Sequence, residues 1–165
     1  MRISRFLPLL AVFTMLSFSS CSSEEFPSET IDSMALPAAP AAKTIEIEIL
    51  ELINAHRINE GLTPLNNHNT IKAVAYTHTD YMIESSNVGH DNFFQRKNSL
   101  IDNANATRVS ENVAYAYSSA QSVVNAWLNS EGHRHNIEGD FTDFDISAEQ
   151  NEEGKWYFTN IFIKR

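Results

Sequence analysis

The sequence predicts an α+β domain in which helices pack on a mostly antiparallel sheet. Apolar residues recur at helical spacing from about Thr44 to Met82. One alternating segment follows at 109–116, and two more alternating segments close the chain with a turn between them. Helices first and strands last, with a single strand between helices, are typical of this class.

The first twenty residues have the pattern of a processing signal. Arg2 and Arg5 precede an apolar run over residues 6–18, which is too short for a membrane-spanning helix of roughly 20 residues. Residues 16–21 resemble a bacterial lipoprotein box, in which Cys21 becomes the acylated first residue. The alternative is that Cys21 lies by chance near an ordinary signal-peptidase site. We expect residues 1–20 to be a lipoprotein-type signal peptide.

The next segment has the composition of a tether. It is rich in Ser, Pro, Ala and Glu and shows no period that could form a core face. We therefore expect residues 21–43 to be an acylated cysteine followed by a tether, and residues 44–165 to be the folded domain. Cys21 is the only cysteine of the chain, so the domain must be stabilised by packing alone.

The charge of the chain restricts its partners. The formal net charge is −9, and removal of Arg2 and Arg5 with the signal would make it −11. An acidic domain without a basic run argues against binding of nucleic acid or electrostatic adhesion to anionic lipid. The membrane is then expected as a partner only through the anchor at Cys21. We therefore expect a lipid-anchored domain in the cell envelope on the extracytoplasmic side, and the sequence leaves open whether this is at the outer membrane, at the cell surface or at another membrane face.

The first half of the domain predicts three helices. The first begins near Thr44, and Gly61 is a plausible C-terminal stop. The second follows Pro64 and is capped by Asn69 or Thr70. A short third helix is expected within residues 91–100.

The second half predicts strands around a fourth helix. Residues 109–116 alternate as in a strand with two distinct faces. Ser118 or Ser119 can cap the fourth helix. Residues 144–149 and 156–163, separated by a turn at 151–154, predict a hairpin.

Several separately placed motifs resemble the bacterial branch of the CAP superfamily, also called the SCP domain, which includes the cysteine-rich secretory proteins. They comprise residues 52–57, 89–90, 111–114 and 132–136, within a resemblance that covers residues 45–162. The resemblance implies an α-β-α sandwich with His90, Glu111 and His133 meeting in one cleft. In that family the cleft often binds a divalent metal through its two histidines.

Three positions depart from the family pattern. Ser130 stands where many animal and plant members carry a second acidic residue. Ser110 and Asp145 stand where glycines are usual. A four-residue set of two histidines and two glutamates is therefore not complete in this chain.

The residue types in the implied cleft suit a metal. Two imidazoles and a carboxylate are ligands that Zn²⁺ accepts, and such a centre can activate water. Spacing alone does not bring His90, Glu111 and His133 together, and each histidine by itself would be a surface or hydrogen-bonded residue. His133 and His135 would share one face if their segment were extended, as an alternative pair. His78 lies on an apolar helical face and is expected in the core or at its rim.

Three functions remain open from the sequence, and one of them, a purely structural envelope protein, is expected only if neither metal nor ligand binds. The first is a membrane-tethered binding or interaction module whose cleft holds Zn²⁺, another divalent cation or a small ligand, or which binds a partner at the cell surface. The alternative is a metal-assisted, peptidase-like hydrolase with Glu111 as general base and His90 and His133 as ligands. A serine nucleophile at Ser119 or Ser130 lacks the Gly-x-Ser-x-Gly turn that would support it.

Overall fold

The computed structural model describes residues 36–165 and contains five helices and four strands in that part of the chain. In chain order they are α1 (Thr44–Asn59), β1 (Asn66–Asn67), α2 (Asn69–Ser85), α3 (Phe93–Ala104), β2 (Arg108–Tyr115), α4 (Ala120–Leu128), α5 (Glu131–Ile137), β3 (Asp143–Gln150) and β4 (Trp156–Lys164).

The four strands form one mixed sheet in the order β1-β3-β4-β2. β4 pairs antiparallel with both β2 and β3, whereas β1 pairs parallel with the start of β3. β2 therefore forms one edge of the sheet. Because β1 is only two residues long, most of β3 has no neighbouring strand on that side and forms the second edge of the sheet.

Helices cover both faces of this sheet. Phe158 and Phe162 of β4 pack with residues of α1, α4 and α5 in one hydrophobic cluster. Ile161 and Ile163, which point to the opposite face, pack with residues of α2 and α3 in a second cluster. The expected α-β-α arrangement is confirmed, and Trp127 of α4 is a core residue with 2% of its surface exposed.

The ends of the first two helices follow from local chemistry. α1 ends at Asn59, and Gly61 adopts a φ of +74°, a left-handed conformation that glycine tolerates without a Cβ penalty. The predicted cap of α2 at Asn69 or Thr70 is wrong. The cap is His68, whose ring Nδ1 accepts a hydrogen bond from the backbone N–H of Thr70 at 3.2 Å.

Two helices differ from the expectation. α3 continues to Ala104, four residues beyond the predicted segment. The sequence does not predict α5, because Ile137 is the one buried residue among its seven and no apolar stripe marks it. Since this segment is helical, His133 and His135 point in different directions and the alternative His133–His135 pair is excluded.

The predictions for residues 1–20 and for acylation of Cys21 fall outside the described residues. Within the predicted tether, Leu36 packs against the cluster of α2 and α3. The last part of that segment therefore contacts the domain. None of the helices within residues 36–165 is both long and apolar enough to cross a membrane.

Candidate functional site

The edge strand β2 carries the central side chains of the site. Successive residues of a strand point to opposite faces, so Glu111 and Asn112 leave β2 in opposite directions. Glu111 faces α2 and α3, whereas Asn112 faces α5. An edge strand can be approached from both faces, and this position lets both groups of helices contribute to one region.

Arg96 of α3 holds the carboxylate of Glu111. Its Nε donates to Oε2 and its Nη2 to Oε1, both at 2.7 Å, and both side chains are buried. Arg96 Nη1 also donates to the backbone carbonyl of Asp91 at 2.6 Å, which fixes the loop before α3. This two-bonded fork is among the strongest ion-pair geometries in proteins.

His90 lies in the loop that Arg96 fixes. Its Nδ1 is 2.9 Å from Glu111 Oε1. Because an ionised carboxylate can only accept, Nδ1 carries the proton and the lone pair of Nε2 points away from Glu111. The side chain of His90 is 52% exposed, compared with 1% for Glu111. His90 therefore offers a ring nitrogen toward solvent while a buried carboxylate sets its orientation.

The protonation of Glu111 follows from these contacts. Burial alone would raise its pKa, but the hydrogen bonds from His90 and Arg96 and the charge of Arg96 hold the pKa below the usual carboxyl value. Glu111 is therefore an anion at neutral pH. A carboxylate with a lowered pKa that accepts from an arginine at both oxygens is a poor general base.

His78 of α2 also lies close to the carboxylate of Glu111. Its Nε2 lies 2.8 Å from the backbone carbonyl of Gly89, to which it donates, and 3.8 Å from Glu111 Oε1. Burial lowers the pKa of His78, so the ring is neutral. The residue is 2% exposed, which confirms its predicted place in the core, and its Nδ1 is buried without a hydrogen-bond partner in the described part.

Helix α5 brings His133 to the site through two amides. Asn112 Nδ2 donates to the backbone carbonyl of His133 at 3.1 Å. Asn136 Nδ2 donates to the backbone carbonyl of Glu111 at 3.2 Å and to Asn112 Oδ1 at 2.8 Å. These bonds attach α5 to the edge strand.

The ring of His133 is close enough to His90 for the two to influence each other electrostatically. Burial, and then the charge of His90, lower the pKa of His133. Its Nδ1 lies 2.8 Å from Ser130 Oγ. When Nδ1 carries the proton and Ser130 accepts it, Nε2 of His133 is an open lone pair, as in His90.

His90 and His133 are the two residues of this site with a ring nitrogen left for a metal, and no third protein ligand joins them in the described chain. Within residues 36–165 no group of three or more His, Cys, Asp or Glu side chains is arranged to hold a metal ion. Both carboxylate oxygens of Glu111 accept hydrogen bonds from Arg96. In contrast, His90 and His133 make no hydrogen bond through Nε2 in the described chain. Histidine ligands usually donate their second nitrogen to such an outer partner. Further ligands would have to be water or a bound molecule.

Sequence reasoning identifies His90, Glu111 and His133 but misses two residues that build the site. The sequence argument above does not use Arg96, although an arginine six residues after the candidate ligand His90 is the available signal. Ser130 enters it as a candidate nucleophile, whereas its hydroxyl contacts His133 Nδ1.

Comparison with known proteins decides the family. The family model described as "CAP: Cysteine-rich secretory protein family" matches residues 50–162. The chain belongs to the CAP family. It is 33% identical over 128 residues to an uncharacterised membrane protein of Bacillus subtilis, YlbC, a match that covers 74% of this chain and 35% of the relative. This CAP chain thus spans about a third of the length of that relative.

Two solved structures share the fold of this chain. An outer surface protein of Borrelia burgdorferi has a TM-score of 0.67 and 21% identity, covering 78% of this chain and 99% of its own. An extracellular protein with an SCP domain from Bacillus anthracis has a TM-score of 0.64 and 25% identity, covering 73% of this chain and 40% of its own. Both chains are described as lying outside the cytoplasm.

Proposed function

We propose that this protein is an extracytoplasmic, membrane-tethered CAP module that uses His90 and His133 to bind a ligand, with a divalent cation between the two rings. The observation that carries the proposal is the bond from His90 Nδ1 to the buried Glu111. That bond turns the Nε2 lone pair of His90 outward. A preset imidazole needs less ordering when a ligand binds.

Glu111 acts in this proposal by positioning His90. Its carboxylate is anchored by Arg96 and fixes the orientation and the tautomer of the ring that it contacts. Binding and orientation are what these residues supply, and a bound cation would add the capacity to polarise a ligand oxygen. The hydrolase with Glu111 as general base is disfavoured, because its two carboxylate oxygens are already engaged and its pKa is lowered.

Titration with Zn²⁺ tests the proposed pair of ligands. Residues 22–165 contain the whole described unit, and after chelation they are titrated by calorimetry as wild type, His90→Ala and His133→Ala. We expect each substitution to weaken Zn²⁺ binding at least tenfold, because each removes one of two protein ligands. His135→Ala is the matched control, since His135 is exposed on the same helix and has no contact with the site.

The control should bind as the wild type does. Unchanged binding in either His90→Ala or His133→Ala would refute the proposed pair. Affinity should also weaken as the pH falls below about 6, because protons compete for the same nitrogens. If no imidazole were a ligand, the Zn²⁺ affinity would not change over that pH range.

The proposed location rests on the lipoprotein-like leader and on the relatives described as membrane, extracellular or outer-surface proteins. Labelling with a radioactive fatty acid tests it, comparing wild type with Cys21→Ala. We expect label in the wild type alone. Equal labelling of both proteins would exclude Cys21 as the acylated residue.

A further inference from the structure

We propose a second binding site at the open edge of β3, a cleft that takes a small organic cation with an ammonium group beside Asp145. It lies at the edge of the sheet opposite to β2, where His90 and Glu111 are found. It is therefore separate from the cleft described above.

The walls of this cleft are mostly apolar. It encloses about 960 Å³ between residues 36–42, helix α1 and the start of α2. Ile47 and Ile58 of α1 line it and remain 47% and 58% exposed, unusual for large apolar side chains. Leu50, Ala55, Ala73 and the alanines and prolines of residues 36–42 also line it, and the polar part of the lining includes Asn54, Asn67, Asn69 and Thr70. A ligand-sized cleft with apolar walls and a few polar groups is typical of small-molecule sites.

Four charged residues line the cleft, of which Glu51 is exposed, and two of the three buried ones satisfy each other. Lys72 Nζ lies 2.7 Å from Glu46 Oε2, and both residues are buried. Lys72 also donates to the backbone carbonyl of Ile146 at 3.1 Å. Glu46 Oε1 accepts the backbone N–H of Ala148 at 2.8 Å, a donor that the open edge of β3 would otherwise leave unpaired. This pair is neutral overall.

Asp145 is the third buried charged residue, and its charge is not compensated. It is 4% exposed and accepts backbone N–H bonds from His68 at 3.1 Å and Ile146 at 2.9 Å. No Lys, Arg or His side chain within residues 36–165 forms a salt bridge with it. The nearest cation, Lys72, is already bound to Glu46. One buried negative charge therefore remains at the wall of a mostly apolar cleft, in addition to the exposed Glu51.

An unpaired buried carboxylate is costly, and a bound cation would remove that cost. An ammonium group can donate to the lone pairs of Asp145 that the two backbone donors leave free. Its hydrocarbon part can then lie along Ile47 and Leu50 of α1. The excess negative charge of the cleft disfavours an anion.

Three probes of equal chain length separate charge from apolar contact. Residues 22–165 are titrated with n-hexylamine, 1-hexanol and hexanoate at pH 8, and binding is followed by amide chemical shifts in NMR spectra. We expect hexylamine to bind at least tenfold more tightly than hexanol, with shifts confined to residues around Asp145 and α1. Hexanoate should not bind. Equal affinity for hexylamine and hexanol, or shifts centred on His90, would overturn the proposal.

Two substitutions test the position of the ligand. Asp145→Asn should reduce hexylamine affinity at least tenfold, and Asp80→Asn, at an exposed position on α2, should not. Ala55→Trp fills the cleft from an exposed position on α1, so folding is not at risk, and it should abolish binding. Gln121→Trp is the matched control on α4. Binding that survives Ala55→Trp would place the ligand elsewhere.

Discussion

Arg96 donates one hydrogen bond to each carboxylate oxygen of Glu111, and both side chains are buried beneath an exposed histidine. The pair links α3 to the edge strand and fixes the group that orients His90. Because the pair is buried, each partner depends on the other for compensation of its charge, and removal of either one should lower the free energy of unfolding.

Arg96→Ala should destabilise the protein by about 3–5 kcal/mol, since it leaves the Glu111 carboxylate buried and unpaired. Urea unfolding followed by circular dichroism measures the change. The double substitution Arg96→Met with Glu111→Gln should recover a large part of the loss, because no buried charge then remains. A single substitution that costs less than about 1 kcal/mol would show that Glu111 finds water or another donor.

Asn136→Ala should loosen α5 from β2. It removes the donor to the Glu111 carbonyl and to the Asn112 side chain, a loss of about 1–2 kcal/mol. Zn²⁺ affinity should fall as well, because His133 moves with α5. Asn103→Ala is the control, since Asn103 bonds only within α3 and is exposed. Equal loss of metal affinity in both variants would contradict the role of Asn136.

Ser130 and Ser119 both precede helices, but the structure predicts that their replacement by alanine has opposite effects on stability and on Zn²⁺ affinity. The Ser119 side chain accepts the N–H of Ser122, whereas Ser130 makes no side-chain cap bond and contacts His133 instead. Ser119→Ala should therefore cost about 1 kcal/mol of stability and leave Zn²⁺ affinity unchanged. Ser130→Ala should weaken Zn²⁺ affinity about tenfold with little loss of stability. Thermal unfolding and calorimetry on both variants measure the two effects, and identical behaviour would argue against the assignment.

Asp145 should make the protein less stable as the pH rises from about 4 to 6. Burial raises its pKa to about 6, despite the hydrogen bonds from Ile146 and His68 and the charge of Lys72. The native state therefore binds a proton in this window that the unfolded state releases, so native stability falls as pH increases. The loss is about 3 kcal/mol at most, at 1.36 kcal/mol per pKa unit.

The measurement is the difference in unfolding free energy between wild type and Asp145→Asn at pH values from 4 to 7.5. Taking the difference removes the opposite contribution of groups such as Glu111, whose lowered pKa adds stability above its unfolded pKa and loses it in acid. A difference that does not change between pH 4 and 6 would mean that Asp145 titrates as an exposed carboxyl does.

Much of the fold follows from periodicity in the sequence. The stripe of α1, the stop at Gly61 and the closing hairpin are local patterns, and each is predictable from neighbouring residues. The alternation of β2 also places Glu111 and Asn112 on opposite faces. The position of His78 follows from the apolar face of α2.

The rest depends on contacts between residues distant in sequence. α5 has no apolar stripe, and its place is set by amide bonds to β2 from Asn136, 25 residues after Glu111. Arg96 and Glu111 are 15 residues apart in the sequence, and no periodic pattern of residues indicates that they pair. β1 has two residues and pairs in parallel with β3, 77 positions away, so no local pattern marks it.

The alternation along β2 makes the proposed ligand site depend on correct strand pairing. Glu111 pairs in register with Ile161 of β4. If β2 shifted by one position, Asn112 would face Arg96 and the carboxylate would turn toward the helix that carries His133. Such a misfolded chain could keep its helices and much of its sheet yet lack the oriented imidazole. Loss of metal affinity would then be a sensitive assay for register errors that circular dichroism does not detect.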